Sequence, residues 1–552
     1  MSGAVLSMTD RMPARSDALA GLGQLLRFMI RRDRIRMPAW VLGMAMMLAY
    51  FANALGLVLD EKALRSFAAF AANPVMALIG GPGYGFEDIT VGRFLVGMYG
   101  AYLMIGAALM SITTISRHTR VEEQTGRAEL VRANVVGRHS SLAAALILAI
   151  GMNVVMAALM TLVFSASEAG PNDIGASLLF ACSVAAVGIV FATVAAVTMQ
   201  LSPFSRAASG MAGAVLAASF IVRGLGDMSR IQGGSLEWLS WLSPLGWSQQ
   251  TAPLTLDRWW PLLISLGVSL VLIYLGFALQ SRRDLGAGIL PDRLGSATAP
   301  AWLNSAVSIA FRLQRATLAW WSASMLAAGV IFGAFVQPMA DNAAGMPPEI
   351  LAMFGGTAGM IDGYLGFMAL YFAVFVSVFA LLSLQALKGE EYGVRTEPVL
   401  ATAVTRRGWV FAWLTITVVG SVWLLALAGL GEGLGAAMAT GDWGLVGPTF
   451  LGHIAQVPAV WLLVGVGVAL YGFAPRLLAL TWLAFGYSTA LAMFGDVLSL
   501  DDSMLKTSVF RHIGQYPAVD LSAGAIGVLT LVAAVLMAVG IWGFQRRDLI
   551  TA

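Results

Sequence analysis

Apolar runs too long for a soluble core dominate this chain, and they constrain its fold more than any other feature. A transmembrane helix needs about 20 consecutive apolar residues. Such runs recur at about 39–59, 92–116, 141–164, 175–200, 208–224 and 261–280, and again at about 319–337, 363–387, 409–430, 448–472, 477–495 and 521–543. They are continuous and do not alternate, which excludes a β-barrel. Charge is scarce, at 11% of the 552 residues, against roughly 25% in an ordinary soluble chain. A soluble enzyme and a disordered or fibrous chain are excluded on that ground. The expected fold is all-α: a polytopic membrane protein of about twelve transmembrane helices, numbered here as spans 1 to 12.

The distribution of charge predicts orientation. With a cytoplasmic N-terminus, the inner pieces 1–37, 117–140, 201–207, 281–318, 388–408, 473–476 and 544–552 hold 25 of the 33 Lys and Arg but only 12 of the 30 acids. This is the bias of the positive-inside rule, and both termini are then expected inside. Seven arginines precede the first apolar run, which is too long for a cleavable signal core. It reads as a retained anchor. Cys182 stands alone, so no internal disulfide is expected.

Two of the inner loops match each other. Glu122, Glu123, Arg127, Glu129, Ala133 and Arg138 recur as Glu390, Glu391, Arg395, Glu397, Ala401 and Arg406, at a constant offset of 268 residues. A second echo closes each half: Gln280 with Arg282-Arg283-Asp284-Leu285, then Gln545 with Arg546-Arg547-Asp548-Leu549. A weaker third sets Pro203, Arg206 and Asp227 beside Pro475, Arg476 and Asp496. Matched loops lie on one side, so two parallel six-helix repeats are expected. The boundaries are a cytoplasmic segment 1–37, a first six-span half 38–284, a linker with an amphipathic helix 285–318, and a second half 319–552.

Orientation bias requires bases, not acids. Duplicated glutamates therefore point to a docking surface for a cytoplasmic partner. Read as helix, residues 122–129 set Glu123 four places before Arg127, the favourable order for a surface pair, and Glu391 with Arg395 repeats it. Pro398 predicts that the second helix ends at Glu397. Upstream, Leu22, Leu25, Leu26 and Met29 form one stripe and Arg27, Arg31 and Arg34 another, as in a basic amphipathic helix on the inner leaflet.

With these features the sequence resembles the permease of type-2 ATP-binding-cassette exporters. More narrowly it is similar to the double-length actinobacterial permeases of the tetronasin-like polyketide-antibiotic exporter family. The resemblance rests on the amphipathic helix, the two E-E-x3-R-x-E loops, Ser243-Pro244-Leu245-Gly246-Trp247 before span 6 and Arg282-Arg283-Asp284-Leu285-Gly286 after it. It implies a bacterial plasma membrane location. It also implies that Glu122, Glu123, Arg127 and Glu129, with Glu390, Glu391, Arg395 and Glu397, couple the chain to an ATPase. Residues 228–260 would fold into short external helices, with Trp238, Trp241, Trp247, Trp259 and Trp260 as an interfacial belt.

The chain has three lysines, Lys62, Lys388 and Lys506, and none lies in a phosphate loop. ATP and Mg would therefore belong to a separate ATPase, expected in two copies. This chain is expected to hold no cofactor, to be no enzyme, and to bind lipid and a hydrophobic small molecule but no nucleic acid. His118, His139, His453 and His512 are scattered, so no metal site is expected. Within spans, Arg93, His453 and Gln456 are the polar candidates. A shortage of membrane carboxylates argues against the rival reading, a proton-coupled twelve-span drug antiporter. So does the lack of any Asp in 117–140. Tyr99, Tyr102, Phe220, Phe372, Phe375, Phe379, Phe485 and Met493 are the candidate substrate pathway, suited to a large apolar compound.

Overall fold

The computed structural model describes residues 18–58, 64, 74–133, 136–171, 173–291, 295–341, 343, 351, 354, 356, 359–494 and 501–549. Every regular element among them is helical. Among the described residues eleven helices are long and apolar enough to cross a membrane, and there are twelve if a bent pair is counted as one span. The chain divides into two compact units, 1–294 and 295–552.

Several of the long helices start where a short polar side chain takes up a backbone N–H left over at a helix end. Thr90 caps span 2, Val91–His118, by accepting from the Arg93 N–H at 3.2 Å. Asp173 caps span 4, Ile174–Leu201, and Thr405 caps span 9, Arg406–Thr440. Span 7 starts earlier than its apolar run. Ser305 and Ser308 form a capping box, and Ala306–Ala334 is one helix. The amphipathic stretch assigned to the linker is thus continuous with the span.

In the first unit span 4 is the most buried span. It packs against span 2, span 3 (Ser140–Ser165) and span 6 (Pro261–Gln280). The amphipathic helix Leu22–Arg32 meets span 1, Arg36–Val58, at an elbow bent by 65°. Its apolar stripe does not face lipid as expected. Leu25 and Met29 are buried, and the helix packs on span 3. Phe28 and Ile30 are exposed instead.

In the second unit spans 7 and 9 approach to backbone contact. A Cβ on Gly333 would lie 2.0 Å from the Glu432 carbonyl, and one on Gly435 would lie 2.2 Å from that of Val330. Gly329 and Gly431 sit four residues earlier on the same seam. Small residues at such spacing let membrane helices pack by van der Waals contact, without a hydrophobic driving force. Span 8, Met360–Tyr392, packs on span 9. Span 10 is broken at Gln456 into Val446–Ala455 and Val457–Phe473, and it packs on span 12, Ala523–Arg546. Span 5, Ser205–Ile231, and span 11, Leu480–Phe494, complete the set.

Candidate functional site

The matched loops do not form the continuous helices expected of them. In the first, Arg120–Gln124 is one short helix and Arg127–Arg132 another, and Gly126 between them has φ +71°. A left-handed residue ends a helix, so Glu123 and Arg127 are not neighbours on one surface. In the second, span 8 runs to Tyr392 and the chain turns through Gly393 and Val394, the latter at φ +58°. The short helix Thr396–Leu400 then contains Pro398. Proline does not end it, because in the first turn its missing N–H would have had no helical partner.

The second glutamate of each loop turns inward. Arg283 donates to Glu123 from Nη1 to Oε2 at 2.9 Å and from Nη2 to Oε1 at 2.6 Å. Arg120, fully buried, adds a bond from Nη1 to Oε2 at 2.8 Å, and the Gly286 N–H adds another at 3.2 Å. In the second unit Arg547 donates from Nη1 to Glu391 Oε1 and from Nη2 to Oε2, both at 2.6 Å. The Tyr471 hydroxyl donates to the same carboxylate at 2.7 Å. Burial alone would lower the Arg547 pKa; its bonds to Glu391 and that residue's charge outweigh this and hold it above its ordinary value.

The end of each loop is fastened too. Arg138 donates to the carbonyls of Gln280, Ser281 and Arg283, and Arg406 to those of Gln545 and Arg547. The two echoes noted in the sequence are thus partners within each unit: loop residues grip the residues that follow the last span.

The first glutamates behave differently from the second. Glu122 receives Arg32 of the amphipathic helix at 2.5 Å, with Arg127 farther off at 3.9 Å. Glu390 pairs within its own loop, with Arg395 at 2.8 Å. Those bonds and the charge of Glu390 raise the Arg395 pKa. Glu129 and Glu397 are exposed on the short helices. Sequence reasoning passed over Asp33, which is buried at the elbow. It accepts from Arg117 Nε at 2.9 Å, and its Oδ2 lies 2.9 Å from His118 Nε2. Seven surrounding arginines disguise it as part of a topology signal.

Deeper in the spans, the expected shortage of carboxylates does not hold. Arg223 and Asp227 are buried in span 5, 3.4 Å apart. Arg223 also donates to the Leu78 and Ile79 carbonyls, and Asp227 accepts from Ser240 at 2.7 Å. Glu432 and His453 are fully buried, with Oε2 and Nε2 3.0 Å apart. Glu432 escaped the sequence reading because the run 409–430 stops short of it, whereas the helix continues to Thr440. His453 lies just before the break in span 10, and Gln456 is buried at the break itself. Arg93 is held by Asp88 and the Leu254 carbonyl.

The aromatic candidates separate. Tyr99 contacts Phe51, Phe94 and Tyr102. Phe220 lies under the Arg223 guanidinium. Phe372 and Phe379 are buried, against His453 and Trp321 respectively, whereas Phe375 is partly exposed beside Tyr371. Phe485 meets Trp482, and Met493 is half-buried near the end of span 11. The segment before span 6 forms the short helices Glu237–Leu242 and Pro244–Gln249. Trp238, Trp259 and Trp260 are exposed, and Trp241 stacks on Trp260. Trp247 is not part of a belt: it is buried, and its indole N–H donates to the Trp241 carbonyl. Asp496 lies outside the described residues.

The comparisons bear on the same span-and-loop frame. Residues 22–279 and 303–545 match the family described as "Multidrug efflux system permease Rv1217c, C-terminal domain". The chain belongs to this family. It is also 35% identical over 545 residues to the "Multidrug efflux system permease protein Rv1217c" of Mycobacterium tuberculosis (strain ATCC 25618 / H37Rv), covering 98% of this chain and 97% of that one. As a family member the chain is a multi-pass membrane permease. The two matched stretches include both glutamate loops, and the second also includes Glu432 and His453.

Proposed function

We propose that this permease is the transmembrane subunit of an ATP-binding-cassette exporter, working with two copies of a separate ATPase in the bacterial plasma membrane. Both termini and both glutamate loops face the cytoplasm, as the charge bias requires. The observation that carries this reading is the build of the loops. Each is anchored to its own last span and holds up a short helix with exposed charge: Arg127 and Glu129 in one, Glu397 beside Arg395 in the other. A rigid, charged, exposed tip is what a partner's surface can grip. ATP hydrolysis and its Mg belong to that partner, and this chain is no enzyme.

The exported compound is a hydrophobic or amphipathic molecule of the antibiotic or drug class. The relative's name supports this, as do the aromatic and methionine side chains of spans 2, 5, 8 and 11. Glu432 weakens one argument against proton antiport, but the first loop still has no aspartate, and the family match favours a permease of an efflux system.

The test is co-purification with a co-expressed candidate ATPase subunit, followed by efflux from vesicles. The expected result is a stable complex whose efflux needs ATP and survives collapse of the proton gradient. Efflux that follows the gradient without ATP would sink the reading.

A further inference from the structure

Docking explains the exposed charges of the loops but not the buried ones. Glu391 is buried and the Glu123 side chain nearly so, and the forks that hold them come from the feet of spans 6 and 12. Side-chain exposure is 9% and 5% for Glu123 and Arg283, and 1% and 13% for Glu391 and Arg547. Paired hydrogen bonds between guanidinium and carboxylate fix orientation as well as distance. Separating such a pair strands an uncompensated buried charge, so the joint resists sliding. The second tie, Arg138 or Arg406 onto carbonyls at the same foot, leaves each loop fixed at two points.

We propose that Glu123–Arg283 and Glu391–Arg547 are positioning struts that make each loop and the foot of its last span move as one body. The consequence is mechanical. A loop joined only by the chain would pass a stroke to the spans that flank it, 2 and 3 or 8 and 9. A strutted loop passes it also to spans 6 and 12, which are remote in sequence. This rests on the reading above that an ATPase drives the loops.

The experiment uses the full permease with its ATPase. Spin labels are placed on Ala403→Cys and Asp548→Cys in a Cys182→Ser background, both positions being exposed. Their separation is measured by pulsed dipolar spectroscopy without nucleotide and with ATP and vanadate. The expected result is one narrow distance, unchanged by nucleotide. Glu391→Gln should broaden the distance, make it nucleotide-dependent and lower transport per ATP hydrolysed by about fivefold or more. Glu391→Asp, which keeps the charge, should retain coupling. A wild-type distance that shifts with nucleotide overturns the strut without recourse to any variant, as does unchanged coupling in Glu391→Gln. A wild-type permease that recruits no ATPase overturns the proposed function and the strut together; recruitment with a shifting distance overturns the strut alone.

Discussion

The two glutamate loops carry the same residues at the same spacing but are braced differently. In the first, Glu122 reaches Arg32 of the amphipathic helix, Glu123 satisfies both Arg283 and the buried Arg120, and Asp33 ties the elbow to Arg117 and His118. In the second, Glu390 meets only Arg395 among the salt bridges described, and Glu391 is supported by Arg547 and Tyr471. The first loop is thus built into an ion-pair network that includes the N-terminal helix. The second is closed on itself and on span 12. A duplicated motif keeps the strut and lets the bracing diverge.

The largest effect expected is at the struts themselves. Glu123→Ala strands two buried guanidinium groups and Glu391→Ala strands one, so both should lose about 3–5 kcal/mol, with Glu123→Ala the worse. Thermal unfolding in detergent, followed by tryptophan emission, would measure this. Equal losses would erase the contrast between the loops.

Next comes the seam between spans 7 and 9. Gly333→Ala meets backbone at Glu432 and Ala436, whereas Gly106→Ala in the first unit meets only the flexible end of Met44. The first should cost about 1–3 kcal/mol through overpacking. The second should be much milder, read by the same melts.

Tyr471→Phe removes a bond to Glu391 that has no equivalent among those made to Glu123. A loss of about 1 kcal/mol is expected, while a silent substitution would show that Arg547 alone holds the carboxylate. The smallest effect belongs to the first glutamates. Glu390→Gln breaks a pair whose Arg395 side is exposed and should change stability by less than about 1 kcal/mol. Glu122→Gln should instead speed hydrogen exchange in residues 22–32, because it frees Arg32.

The spans were legible because membrane helices must satisfy their backbone internally and so need long apolar runs. Their polar ends were less so. Glu432 and Asp227 lie in continuous helix beyond the runs that marked spans 9 and 5. Spacing also misled within the loops. Glu123 and Arg127 are four positions apart, but a left-handed Gly126 intervenes, and the real partner is 160 residues away. That partner was visible only as a second echo. Two motifs repeated together in one chain are candidates for contact with each other, and no local rule of helix surfaces reveals which.

The glycine seam also bears on how a greasy molecule could reach the interior of the second unit. Where main chain touches main chain, as at Gly333 and Gly435, lipid tails and drugs find no crevice. Sideways entry from the bilayer between spans 7 and 9 is closed at that level, so any such doorway in this unit opens elsewhere along its wall.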